Sequence, residues 1–260
     1  MRKMHRKSLV GALMGILFFI SSLSAGMDSD LFENISLSTG FAFSHFNRSI
    51  TSEEDSQNSS LKSYLFTAEI NFHFKNGLIL APLFGYALSN YDSLIFRQLP
   101  VSVALETGNL SGVVLGGKIS QSFYTMGDVE TGLKGIFLAN LSKKNQWEVP
   151  GLAVSGTVEG KPIWMDARLG PWFKYHGIEG LSPYAFLAYS PLWGNFSMDE
   201  SIEKLTGREK KEIKAKGKLL VSLGADFHLY PSFKASVEIF IFPHKDKVDT
   251  GLAIRTLYYF

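Results

Sequence analysis

The chain has 260 residues, no cysteine, and 26 basic against 24 acidic side chains. Without cysteine, disulfide staples and thiolate metal sites are excluded. Taking Arg2, Lys3, Arg6 and Lys7 from the 26 bases leaves 22 against 24 acids, so the formal charge of +2 is confined to the N-terminus and makes no electrostatic case for nucleic acid.

The chain opens on "MRKMHRKS", continues with "LVGALMGILFFISSLSA" and so reads as a secretory signal peptide: a basic start, an apolar middle and a small-residue exit. Cleavage is expected after Ala25, with residues 1–25 the signal and 26–260 one domain. The apolar run from Leu9 to Leu23 is short for a helical span. No cysteine follows it to carry a lipid anchor. The longest uncharged stretch further on, residues 180–198, holds two prolines and two glycines and suits strands better than a buried helix.

Period-two alternation dominates from there. "ISLSTGFAF" sets Ile35, Leu37, Thr39, Phe41 and Phe43 against Ser36, Ser38, Gly40 and Ala42; "YLFTAEINFHF" sets Tyr64, Phe66, Ile70, Phe72 and Phe74 against Thr67, Glu69, Asn71 and His73. In "LLVSLGADFHL", Leu219, Val221, Leu223 and Phe227 oppose Ser222, Asp226 and His228. In "FKASVEIFIF", Phe233, Val237, Ile239 and Ile241 oppose Lys234, Ser236 and Glu238. The last strand, "GLAIRTLYYF", groups Leu252, Ile254, Thr256, Tyr258 and Phe260 against Arg255.

A soluble sandwich also alternates, with its polar parity in water. Here the second parity is rich in Gly, Ala and Ser and carries charges of both signs: Glu69, Glu130, Lys134, Asp166, Arg168, Asp226, Lys234, Glu238 and Arg255. A narrow barrel pairs such charges inside, whereas Arg or Lys facing mid-bilayer lipid costs about 2–4 kcal/mol. Closure also removes sheet edges, whose N–H and C=O groups lipid cannot satisfy.

Connection lengths alternate as well. Short turns are expected at 72–78, 122–129, 173–181 and 229–233, and long polar connections at 47–60, around 92–109, around 142–160 and at 197–216. Short periplasmic turns and long outer loops are the habit of outer-membrane barrels. The expected fold is therefore all-β, an antiparallel up-and-down transmembrane barrel of about ten strands. "QLPVSVALET" (98–107) and "WEVPGLAVSG" (147–156) are taken as hairpin extensions; if both span, the count is twelve, and eight would require discarding two patterned strands. The segment 197–216 is taken as a solvated outer loop, with a short surface helix as the alternative.

The terminal residues resemble the assembly signal of bacterial outer-membrane β-barrel proteins, at Phe260, Tyr258, Ile254 and Leu252 with Gly251 upstream; Thr256 departs from the usual apolar choice. The mature chain as a whole resembles the small outer-membrane β-barrel proteins of Gram-negative bacteria. That resemblance implies export, insertion by the barrel-assembly machinery and contact with outer-membrane lipid, and it implies no particular activity.

Candidate chemistry is sparse. Glu69, Asn71 and His73 share the inward parity, as do Asp226 and His228, and a satisfied interior polar network weighs more than a catalytic base for either. His45 and His244 are the histidines expected near the outer rim, without a serine or carboxylate constellation around them. No histidine pair has metal-ligand spacing, so no metal and no cofactor is expected. The leading expectation is a non-enzymatic, side-chain-filled barrel, with Trp164 and Trp172 inside, whose outer loops face the environment or an extracellular partner. The alternatives are a narrow pore for a small or apolar solute and a lipid-active or proteolytic barrel whose activity depends on His45 or His244.

Overall fold

The computed structural model describes residues 35–52, 55–96, 103–105, 107–148, 156–202, 205–245 and 247–260, so the expected signal peptide lies outside the described residues. The chain divides between Ser36 and Leu37, and the unit Leu37–Phe260 carries the barrel. The described elements are all strands: β1 (Ile35–Ser52), β2 (Asp55–Phe74), β3 (Leu78–Asp92), β4 (Leu94–Phe96), β5 (Val103–Leu105), β6 (Leu110–Met126), β7 (Val129–Ser142) and β8 (Asn145–Glu148), then β9 (Gly156–Tyr175), β10 (Leu181–Tyr189), β11 (Leu192–Ile202), β12 (Leu205–Ala215), β13 (Leu219–Tyr230), β14 (Phe233–Pro243) and β15 (Val248–Tyr259).

Ten of them close an antiparallel up-and-down barrel in the order β1, β2, β3, β6, β7, β9, β10, β13, β14, β15 and back to β1. The ring is completed by β1 against β15, from Ser38 opposite Tyr259 to Asn47 opposite Thr250. The four short turns fall where the sequence places them, after β2, β6, β9 and β13. A count of twelve is excluded, because neither candidate hairpin adds a strand to the ring. In the first, β5 pairs only with β4. In the second, β8 lies on β9 outside the main path. Residues 97–102, 106 and 149–155 of these segments lie outside the described residues.

Two expected loops are strand. Residues 47–52 and 55–60 continue β1 and β2, and 197–202 and 205–215 belong to β11 and β12. The β11–β12 hairpin is part of the wall. The outer half of β9 pairs with β11, from Gly156 opposite Ile202 to Asp166 opposite Leu192. Its inner half pairs with β10 between Leu169 and Lys174. Likewise β1 leaves β15 and pairs at Ile50–Ser52 with β12. The barrel thus has two tiers: a ten-strand ring at the turn end, and above it an eight-strand circuit of β1, β2, β3, β6, β7, β9, β11 and β12. Glycines permit the fork in β9, since a methyl on Gly170 would collide with the Leu187 carbonyl and one on Gly194 with that of Ile163.

Arg48 holds the junction between tiers. Its guanidinium donates to the carbonyls of Ser190 (3.1 Å) and Gly217 (2.6 Å), the two points where the chain enters and leaves the hairpin. It stacks 3.9 Å above the Phe242 ring and lies 3.9 Å from Asp166, and it is fully buried. Ser190 N–H donates to Lys218 O and Lys216 N–H to Ser49 O, which seals the crossing.

Outside and inside differ as the alternation requires. In the ten-strand tier Phe41, Phe66, Leu115, Ile119, Phe137, Leu169, Leu223, Ile239 and Ile254 are all exposed, while Ser222, Asp226, Ser236 and Glu238 on the opposite parity are buried. β9 crosses the boundary within one strand: its outward parity runs Thr157, Glu159, Lys161, then Ile163, Met165, Ala167, Leu169, Pro171, Phe173 and Tyr175. Ile163 to Phe173 is about 33 Å of strand. At a tilt of about 40° that gives an apolar band about 25 Å tall. The outward parity of β12 is Arg208, Lys210, Glu212 and Lys214, so the eight-strand tier presents charge where the lower tier presents hydrocarbon. Aromatics ring the turn end, with Phe123, Tyr124, Tyr175, Tyr230, Tyr258 and Phe260 exposed.

Candidate functional site

The lumen follows the two tiers. The upper part is filled by buried side chains, among them Tyr91, Phe96, Trp164 and Phe196, with Phe46 and Phe242 closing it from below at the junction of the tiers. Trp164 lies edge-on to Phe46 at 5.5 Å and donates its indole N–H to Ser89 Oγ at 3.1 Å, while Tyr91 and Phe96 meet Phe196 edge-on. Eight strands enclose just enough room for such packing, which explains why this tier is solid.

Below the plug the wider ring leaves space. A cavity of about 80 Å³ lies among Ala42, Ser44, Phe46, Phe186 and Phe240. A second, of about 160 Å³, lies at the turn end, walled by His73, Trp172, Tyr184, Tyr259 and a set of charged groups. Lys118 and Arg255 border both.

The sequence-derived interior residues occupy three levels. At the top, Asp166 accepts from Arg168 Nε at 2.7 Å and lies 3.9 Å from Arg48. In the middle, Glu69 accepts from Lys118 at 2.9 Å, and Glu238 accepts from Ser222 and from Tyr184 (3.2 Å), with Arg255 at 3.6 Å and Lys134 at 4.0 Å. Lys134 Nζ also sits 4.1 Å above the Phe186 ring. At the turn end, Asp226 accepts from Lys174 (2.7 Å), Lys234 (3.2 Å) and Ser236 Oγ (2.6 Å).

The structure does not join Glu69 to His73: the carboxylate turns to Lys118, and His73 Nε2 shares a 2.8 Å hydrogen bond with Ser38 Oγ. Glu130 pairs with His176 at 2.9 Å. The same imidazole and His228 share hydrogen bonds with Ser182 Oγ, each at 3.3 Å. This makes a carboxylate–imidazole–hydroxyl chain, but Ser182 is only 3% exposed and its contacts are at the long end for hydrogen bonds. These contacts satisfy the buried Ser182 hydroxyl, while His176 and Glu130 at the far end of the chain reach the surface.

His45 stacks on outward-facing Tyr64 at 4.4 Å, and His244 lies 3.6 Å from Asp249, which accepts from the Ser49 backbone N–H (2.6 Å) and hydroxyl (2.8 Å). No group of three potential metal ligands occurs among the described residues. On β15, Leu252, Ile254 and Tyr258 face outward and Gly251 is buried, where a methyl would press on His45 O and the Phe240 ring. Phe260 donates its backbone N–H to Leu37 O at 3.2 Å and meets Tyr258 edge-on at 5.3 Å.

Four lumen residues were missed in the sequence. Lys118 and Lys174 lie on the inward parity of β6 and β9, beside Ser120 and Trp172, and parity alone could have found them. His176 follows a strand end. Arg48 was hidden inside a Ser-rich stretch taken for a loop.

No protein-family model matches this sequence, and no curated protein matches it. Among solved structures the chain is similar to the outer membrane protease OmpT of Escherichia coli, at 13% identity over 88% of this chain and 97% of that one, with a TM-score of 0.43. It is also similar to the attachment invasion locus protein Ail of Yersinia pestis, at 14% identity, 87% and 98% coverage and a TM-score of 0.33. The β domain of the Bordetella autotransporter BrkA gives 8%, 87%, 99% and 0.47. At these scores the likenesses carry no argument about this chain, whose barrel rests on its own strand pairing.

Proposed function

We propose that the chain is an outer-membrane β-barrel protein of a Gram-negative bacterium, a sealed, non-enzymatic body whose turn end faces the periplasm and whose eight-strand tier stands in the external medium. The observation that carries this reading is the change of outward chemistry along β9, from Glu159 and Lys161 to an unbroken apolar face between Ile163 and Tyr175. A soluble barrel has no use for such a band, and exposed apolar surface of this extent is covered by lipid. The aromatic plug supports a closed lumen. The charged outer faces of β9 and β12 are the surface offered to an extracellular partner, and the β15 strand with Phe260 is the segment handed to the assembly machinery after export and removal of residues 1–25.

Purified chain folded in detergent should migrate faster unheated than boiled, and in a planar bilayer it should give no steady conductance. A sustained ohmic current would replace the sealed body by a pore. A freely soluble monomer without detergent would remove the membrane altogether, and lipid or peptide hydrolysis lost in Ser182→Ala would make it an enzyme.

A further inference from the structure

The charges around the turn-end cavity do not balance. Five bases, Lys118, Lys134, Lys174, Lys234 and Arg255, line its wall from five different strands. They share three carboxylates: Glu69 takes Lys118, Asp226 takes both Lys174 and Lys234, and Glu238 takes Lys134 and Arg255. A fourth carboxylate, Glu130, lines the same chamber and is engaged with His176, so the wall holds five bases against four acids. Deeper in the lumen Arg48 and Arg168 meet Asp166, and the buried carboxylate of Asp249, bonded to Ser49, stands beside them, so the surplus is confined to the turn-end chamber. The buried carboxylates of the hairpin, Glu200 and Glu209, lie in the upper tier.

Surplus positive charge held in a low-dielectric enclosure is costly unless a counter-charge comes to it, and low-dielectric walls focus its field on the opening. Ammonium and guanidinium groups only donate hydrogen bonds, so what they converge on must accept. The volume of about 160 Å³ is close to that of a cavity able to hold a benzene-sized molecule. Trp172, Tyr184 and Tyr259 supply aromatic wall beside the bases.

We infer that the turn-end chamber is a binding site for a small tetrahedral oxyanion, inorganic phosphate or a phosphate monoester with a compact body, approached along the barrel axis. A tetrahedral anion offers oxygens in several directions, which suits donors arriving from five strands better than a planar carboxylate does. The site is a feature of the lumen and stands whether or not the upper tier conducts.

The test is calorimetric titration of the full, detergent-folded chain with inorganic phosphate and with phenyl phosphate, against chloride. Saturable binding is expected, weakening as ionic strength rises from about 0.01 M to about 0.15 M. Lys234→Gln removes surplus charge while leaving Asp226 its partner Lys174, and should weaken binding severalfold. The double change Lys174→Gln with Lys234→Gln should weaken it at least about tenfold, a loss of about 1.4 kcal/mol. Should the double variant fail to fold, protection of the lumen lysines from an amine-reactive reagent by phosphate, read by mass spectrometry on the unaltered chain, gives the same answer. Lys210→Gln, on the outer face of the hairpin, should leave the titration unchanged. Absence of saturable binding, equal binding by folded Lys234→Gln, loss of binding in Lys210→Gln, or uptake of phosphatidylglycerol from vesicles without any binding of inorganic phosphate would each overturn the proposal.

Discussion

The two tiers are built from shared strands and differ in every physical respect. At the turn end ten strands enclose open chambers, charged groups and an apolar exterior; at the hairpin end eight strands enclose packed aromatics beneath a charged exterior. β9 serves both, with Trp164 and Trp172 inward on one strand, eight residues apart, one in the plug and the other on a chamber wall. The contrast shows that enclosed volume is set by strand number at each height. Exchanging four strands for two is enough to turn a partly open lumen into a solid core.

The sharpest way to break the contrast is at Arg48. Replacing a fully buried cation by Met removes the donor to Ser190 O and Gly217 O and leaves Asp166 with Arg168 alone. Removing one partner from such a site costs about 3–5 kcal/mol. The ten-strand ring does not depend on that bond, so Arg48→Met should keep heat-modifiable migration while the 192–215 hairpin becomes open to limited proteolysis. Simultaneous loss of both properties would mean that the tiers fold as one unit.

That junction is also where the sequence stopped being readable. Lower-tier strands declared themselves because one parity is hydrocarbon and the other small or charged, as in Phe66, Ala68 and Ile70 against Thr67, Glu69 and Asn71. In β12 both parities are polar from Arg208 to Glu212: Glu209 and Lys211 point in, and Arg208, Lys210 and Glu212 point out. Without lipid on one side there is no amphipathic signal, and the segment looks like a solvated loop. Its place in the wall depends on pairing Ile213 with Ser52, about 160 positions away, which no local pattern encodes. The lumen charges were legible as a parity, whereas the assignment of two bases to one carboxylate at Asp226 needed the register between β9, β10, β13 and β14.

The two tryptophans sharpen the difference in packing. Trp164→Ala should cost about 3–5 kcal/mol, as large aromatic truncations in close-packed cores do. Trp172→Ala should cost no more than about half of that, because its ring borders space that solvent or a ligand can enter. Denaturant unfolding in detergent, followed by tryptophan fluorescence and gel migration, measures both. Equal costs would mean that the chamber closes around Trp172 and that the lower lumen is as solid as the upper.

The exterior gives the smallest effects and the cleanest sign. Leu169 lies mid-way along the outward apolar face of β9, and Lys161 lies two positions beyond its upper end, on the same parity of the same strand. An Arg at the bilayer midplane costs about 2–4 kcal/mol, falling toward zero at the interface. Leu169→Arg should therefore lower refolding stability in lipid vesicles by about that amount. Lys161→Leu should stay within about 0.5 kcal/mol, the usual range for a surface change away from special contacts. In a detergent-free aqueous setting the order would reverse, since an added charge on a water-facing wall is harmless and an added leucine is not. The sign of the Leu169→Arg effect thus reports directly which solvent the lower tier faces.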